Sequence, residues 1–260
     1  AIWDSRNQIL FLARDRLGIK PLYYFFNESE GILIFSSELK ALMVFGNFAK
    51  EVNPDAIPLF LHYQYIPAPG TIFKNTYKLL PGHFLIYDGY KVQSKEYWGL
   101  PEIQGIQISA SQNEEEQLQH LDDLLTTAVS DRLVSDVPLG LFLSGGYDSS
   151  LVAAVLQRNT SHDLKTFTIG FHEDEHNEAR QARNVARLLD TDHTEYICTH
   201  RDALDILPQL PQIYDEPFAD ASAIPTHLVS RLARDKVTVA LSADGGDEIF
   251  GGYTRIQRAL

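Results

Sequence analysis

Leu139-Gly140-Leu141-Phe142-Leu143-Ser144-Gly145-Gly146-Tyr147-Asp148-Ser149-Ser150 begins with an apolar run and breaks off at a serine and two glycines. A short apolar run closed by turn residues reads as a buried strand, and the pattern that resumes over residues 149–157 reads as a helix. Two glycines let the backbone approach a ligand closely, and the hydroxyls add donors. The helix start presents free N–H groups and a partial positive charge. Such a nest suits a phosphate-bearing anion. The helix dipole alone is worth roughly 0.3–1 kcal/mol per favourable charge, so several donors must act together. The plainer alternative is a Gly-Ser turn that caps a helix.

Toward the C-terminus the signals alternate. Strands are expected at 166–171, 194–198 and 237–241, and helices at 178–189, 200–207 and 223–233. Before the glycine loop, Leu121, Leu124, Leu125, Ala128, Val129 and Leu133 recur at helical spacing. Alternation of this kind means βαβ units around a parallel sheet. Ligands bind beyond the carboxyl ends of such strands, so the loops after Leu143, Phe171 and Leu241 are where chemistry is expected.

Toward the N-terminus the pattern changes. Residues 1–99 read as an α+β, mainly antiparallel domain. Its strands are expected at 9–13, 22–26, 32–35 and 83–87, the last pairing with 91–97 across Asp88-Gly89. Short helices are expected at 37–44 and, after Pro54, at 55–63. Residues 100–113, with Pro101, Gly105 and three glutamines, read as a linker, so a second domain is expected over 114–260. The acidic run Glu114 to Glu116 suits the first turn of a helix.

Composition narrows the function classes. The chain has 260 residues, enough to bury a core without disulfides or metals. Its formal charge of −13 disfavours unspecific binding to nucleic acid or an anionic membrane. The single cysteine, Cys198, cannot form an internal disulfide and is expected in the core of a strand, which suits a reducing, cytoplasmic setting. No apolar run approaches a bilayer span. The absence of an initiator Met before Ala1-Ile2-Trp3 reads as a fragment, truncated at both ends.

Other phosphate and catalytic motifs do not fit. Gly246 to Gly251 has Walker A spacing but continues Gly252-Tyr253 without the lysine, and a GxGxxG does not occur. Phe142 stands where a nucleophile elbow needs glycine. His172 to His176 spells HExxH, a zinc-hydrolase signature, but it follows a strand end amid acidic residues and reads as a solvated loop. Ser37 to Lys40 matches SxxK without its partner motifs.

SGGYDSS at 144–150 resembles the pyrophosphate loop of the N-type ATP pyrophosphatases, enzymes that split ATP between its α- and β-phosphates. Three further blocks are similar to the glutamine-hydrolysing asparagine synthetase family: DRLGIKPLYY at 15–24, DEPFAD at 215–220, and SADGGDE at 242–248 with FGGY at 250–253. The resemblance implies the remainder of an N-terminal-nucleophile glutaminase domain, α+β and antiparallel, followed by an α/β parallel-sheet domain of the adenine nucleotide alpha hydrolase-like type. It implies ATP-dependent conversion of aspartate to asparagine through β-aspartyl-AMP, with ammonia drawn from glutamine.

By the same resemblance, Ser144, Gly145, Gly146, Asp148, Ser149 and Ser150 hold pyrophosphate, Leu143 and Ile169 contact adenosine, Ser242 and Ala243 make the next nucleotide contact, and Asp244 is tied to adenylate formation. A triphosphate carries about four negative charges, so Asp148 and Asp247 beside it imply a bridging Mg²⁺; helix capping is the alternative for both. The expected partners are small molecules (aspartate, ATP, ammonia or glutamine) with neither nucleic acid nor membrane, and the family admits a homodimer. Position 1 is Ala where a glutaminase needs its nucleophilic cysteine, so the 260 residues alone are expected to lack glutaminase activity. β-Lactam synthetase and polysaccharide amidotransferases share this architecture, and a noncatalytic nucleotide-binding fragment is the reading from a different class.

Overall fold

The computed structural model describes residues 1–100, 113–160, 163–172 and 177–253. Most of the expected linker and all of the HExxH string after His172, residues 173–176, lie outside the described residues. The chain forms two compact units. One comprises residues 1–100 together with Pro208–Ala221; the other takes the remaining described residues.

The first unit opens with β1 (Ile2–Asp4), β2 (Ile9–Ala13), β3 (Tyr23–Asn27) and β4 (Ile32–Ser36). The short helix α1 (Leu39–Leu42), α2 (Ala56–Tyr63), β5 (Thr76–Lys78), β6 (His83–Tyr87) and β7 (Val92–Glu96) follow. Two antiparallel sheets result, ordered β1-β2-β6-β7 and β4-β3-β5. Period-2 alternation aims Leu12 and Leu85 inward from a matched register, and Tyr24 and Leu33 of the other sheet close over them. The second sheet's other face, with Phe25 and Ile34, packs on Leu39 and Leu42 of α1 and on Phe48.

The DRLGIKPLYY block has a structural explanation. Arg14 donates to the carbonyls of Lys20, Leu79 and Gly18, while Asp15 accepts from the amides of Ile19 and Lys20 at 2.9 Å each. Gly18 turns the loop at φ +70, where a side chain would strike Pro81. Burial pushes the Asp15 carboxyl up, but the amides of Lys20, Ile19, Gly18 and Leu17 together hold it below the ordinary range.

The second unit begins with α3 (Glu114–Ser130), capped by the Asn113 side chain accepting from the Glu115 amide. Then come β8 (Leu139–Phe142), α4 (Tyr147–Asn159), β9 (Lys165–Phe171), α5 (Ala179–Leu189), β10 (Asp192–Cys198) and α6 (His200–Ile206). The next stretch, Pro208–Ala221 with α7 (Leu210–Tyr214), is built into the first unit. The second unit resumes with α8 (Ala223–Arg234), β11 (Val239–Leu241) and α9 (Gly246–Phe250).

Its four strands are parallel in the order β10-β9-β8-β11. Val129 of α3, Ala153 and Leu156 of α4, and Ala182 and Ala186 of α5 cover one face with Leu141 and Leu143. Ala233 and Val229 of α8 cover the other against Phe167 and Phe142. Helices on both faces leave the strand carboxyl ends as the open edge. Cys198 ends β10 as a buried side chain, as expected. Among the described residues no helix is long and apolar enough to cross a membrane.

Several boundaries differ from the sequence reading. Helix α4 starts at Tyr147, directly after the glycines, because Gly146 already serves as its N-cap. Strand β10 starts at Asp192, whose polar start is stabilised by parallel pairing to Lys165. Val237 sits in the turn that ends α8, its amide bonded to the Ala233 carbonyl, so β11 is shorter than expected.

Candidate functional site

A cleft of about 820 Å³ opens at the carboxyl edge of the parallel sheet. The loop after β8 supplies Leu143, Ser144 and Gly146, and the first turn of α4 supplies Asp148 and Ser149; Ile169 comes from β9. Ser242, Ala243, Asp244 and Asp247 come from the segment after β11. Ten of the expected site residues thus line one cavity, although they belong to three strands' ends. Gly145 and Ser150 do not line it.

The loop is rigidified by its own hydroxyls. Ser149 Oγ accepts from the Ser144 amide at 3.2 Å and lies 2.9 Å from Ser144 Oγ, which in turn accepts from the Gly146 amide at 3.2 Å. Ser149 is buried, so its hydroxyl shapes the loop from behind. Ser150 Oγ is buried without a hydrogen-bond partner among the described residues, one donor left over at the helix start. Gly145, at φ +83, presses against α5: a Cβ there would meet the Ala182 nitrogen at 2.4 Å. No other residue fits that contact.

The β11 side is equally ordered. Ser242 Oγ donates to Asp244 Oδ2 at 2.8 Å. Gly245 takes φ +100 and Gly246 starts α9, bringing its Cα against the Asp148 carboxylate, where a Cβ would fall 2.4 Å from Oδ2. Asp247 is likewise backed by Gly252. Two acidic side chains from segments about a hundred residues apart are therefore seated on glycines at one cleft.

The cleft also contains residues the sequence reading did not single out: Thr168, Glu178, Thr226 and the apolar Phe142, Phe167 and Val229. Thr168 carried a signal, since it is a hydroxyl inside an apolar strand. It is buried and donates to the Leu143 carbonyl, tying β9 to the loop. Thr226 lies in the first turn of α8, and nothing local marked it. Tyr147 projects from the lip with its side chain 97% exposed, so its bulk burdens no core packing. The DEPFAD block is absent from the cleft and lies in the first unit.

The second unit corresponds to the family described as asparagine synthase, matched over residues 120–260, and the glutamine amidotransferase domain matches residues 1–98. A putative asparagine synthetase [glutamine-hydrolyzing] 2 of Methanocaldococcus jannaschii is 41% identical over 97% of this chain and 48% of its own length. Asparagine synthetase [glutamine-hydrolyzing] 1 of Bacillus subtilis is 35% identical over 100% of this chain and 40% of its own. Amidase chyE of Penicillium rubens is 31% identical over 100% and 40%. The chain thus spans somewhat less than half the length of these relatives. With the antiparallel sheets, the parallel sheet and both domain matches in the same order, the chain belongs to the asparagine synthase, glutamine-hydrolysing, family.

Proposed function

We propose that this chain carries the adenylating site of an enzyme that converts aspartate to asparagine with ATP, drawing ammonia from glutamine. The observation that carries the reading is the shared cleft, in which the 144–150 loop and the 242–247 segment face one space. Ser144 and Gly146, which line the cleft, are suited to receive the pyrophosphate, and the α4 N-terminus favours its charge. Leu143 and Ile169 offer an apolar wall for adenosine, with Ser242 and Ala243 beside it.

Among the described residues no three His, Cys, Asp or Glu gather into a metal cage. Mg²⁺ needs no such cage, because one or two carboxylates plus substrate phosphates suffice. Asp148 and Asp247, both on the cleft, fit that requirement. The bound ion would neutralise charge on the phosphates. Asp244, exposed and held by Ser242, is positioned to act at the reacting carboxylate. The aspartate side chain attacks the α-phosphorus, the bond to the bridging oxygen breaks, and pyrophosphate leaves; ammonia then displaces AMP.

The test is ATP–pyrophosphate exchange by the whole protein across a panel of carboxylates. Aspartate-dependent exchange is expected. Exchange with a different acid alone favours the second reading, an amidotransferase or β-lactam synthetase for another carboxylate, which the similarity to amidase chyE keeps in view. ATP binding without exchange favours a noncatalytic nucleotide-binding role.

A further inference from the structure

Pro208–Ala221 leaves the second unit after Leu207, is built into the first, and returns at Ser222, just before Pro225 and Thr226 of the cleft wall. Two acidic side chains hold it there. Asp215 Oδ2 accepts from the Lys40 amide at 2.9 Å, in the first turn of α1, and Oδ1 pairs with Lys40 Nζ at 3.2 Å. The N-cap of α1, Glu38, makes no capping bond of its own. A residue 175 positions away thus supplies the acceptor that the helix start lacks.

Glu216 is bound as firmly. Its Oε1 pairs with Lys78 Nζ at 2.5 Å and its Oε2 accepts from the Ile72 amide at 3.1 Å. The side chains of Glu216 and Lys78 are 10% and 15% exposed. Exposed ion pairs contribute little, but a pair withdrawn from water with further hydrogen bonds is strongly unfavourable to break, because the remaining charge would lose its counter-ion. The Ala219 amide donates to the Gln64 carbonyl at 2.9 Å, and the Tyr214 and Phe218 rings stack at 4.5 Å. Neither carboxylate lines the cleft, so neither is placed to touch substrate there.

We infer that Asp215 and Glu216 are positioning residues that fasten this segment to the first unit, and that the fastening couples ammonia supply from glutamine to adenylate consumption. The coupling half rests on the proposed function. The segment is suited to it because its far end runs directly into α8, whose first turn is a wall of the cleft.

The experiment uses the whole protein and the double variant Asp215→Asn with Glu216→Gln. Hydrogen exchange across residues 208–221 should accelerate about tenfold while β8 and β9 keep their protection. Glutamine consumed per AMP released should rise about fivefold, the low end of site-to-site coupling, with ammonia-driven AMP release unchanged. Parental exchange rates in the segment overturn the fastening. Faster exchange with an unchanged glutamine-to-AMP ratio overturns the coupling and leaves a structural strap. A parent that releases AMP from no carboxylate overturns the proposed function and the coupling with it, while the exchange rates still decide the fastening. Where the double variant does not fold, Glu216→Gln, whose amide oxygen can still accept from Ile72, is read the same way.

Discussion

In the second unit, the groups that make the cleft sit at strand ends and helix starts, each within a few residues of a glycine or hydroxyl that shapes its own loop. In the first unit, the bonds that complete α1 and satisfy the Ile72 amide come from residues 175 and 144 positions along the chain. The first arrangement concentrates chemistry in local motifs laid on an already packed sheet, so a change there should remove activity and spare the fold. The second distributes stability over long-range bonds, so a change there should act on the fold first.

The sharpest break in that contrast is Asp148→Ala, which should reduce ATP–pyrophosphate exchange about 10²–10³-fold, as the loss of one charge-stabilising group does. Because Asp148 lies outside the buried core of the unit, the melting temperature should stay within about 2 °C. Near-normal exchange would remove Asp148 from the mechanism. Asp244→Ala should follow with a smaller effect, lowering adenylate formation about tenfold while ATP affinity, by calorimetry, holds. An adenylate trapped at the parental rate would exclude the role proposed for Asp244.

On the other side of the comparison, Glu216→Gln should destabilise the first unit by about 2–3 kcal/mol, below the full penalty for breaking a buried pair because one hydrogen-bond acceptor survives. Urea unfolding followed by fluorescence of Trp3 and Trp98, both in that unit, is the measurement, and an unchanged midpoint would place the pair among ordinary surface contacts.

Much of this was legible in the sequence, for physical reasons. The glycine loop, the alternating strands and helices and the Asp88-Gly89 hairpin follow from local periodicity and turn chemistry, and the structure has them in place. The elements that were not foreseen are short and depend on neighbours. Strand β5 has three residues and is held by pairing with β3. Helix α7 has only five residues, with Pro211 in its first turn, and α9 has five between left-handed Gly245 and Gly251. Of the site, the loop residues were readable, whereas Glu178 and Thr226 enter the cleft through the packing of α5 and α8, which no local pattern encodes.

Titration sharpens the comparison further, with opposite signs in the two units. Burial raises the Tyr23 phenol to about 12, helped by Glu216 and then Asp215. A folded pKa above the unfolded 10 gives stability that is present below pH 10 and lost as the pH rises toward 12. Ultraviolet titration of the tyrosines should show this late phenol, and Glu216→Gln should bring it down. An unmoved phenol would mean that Glu216 contributes little to its shift.

The smallest expected effect lies in the second unit at His193. Burial holds its imidazole below 6.5, Nδ1 lies 2.9 Å from Thr166 Oγ1, and Nε2 is buried without a partner among the described residues. The unfolded chain therefore takes up the proton first, so this contribution is present above pH 6.5 and is lost as the pH falls through the lowered folded value. Replacement by Gln should flatten that slope in thermal melts between pH 7 and 5; an identical slope would exclude His193 as its source.

The segment at 208–221 also orders events during synthesis. A ribosome adding about 5–20 residues per second needs roughly 6–25 s after residue 100 to deliver Asp215 and Glu216. Throughout that interval α1 lacks its acceptor and Lys78 lacks its carboxylate, so the amino-terminal sheets emerge early yet can be completed only after α3 to α6 have been made. Nascent chains arrested before residue 215 should therefore carry a first unit that proteases still cut, and chains arrested well beyond residue 221, with the segment clear of the exit tunnel, one that they spare.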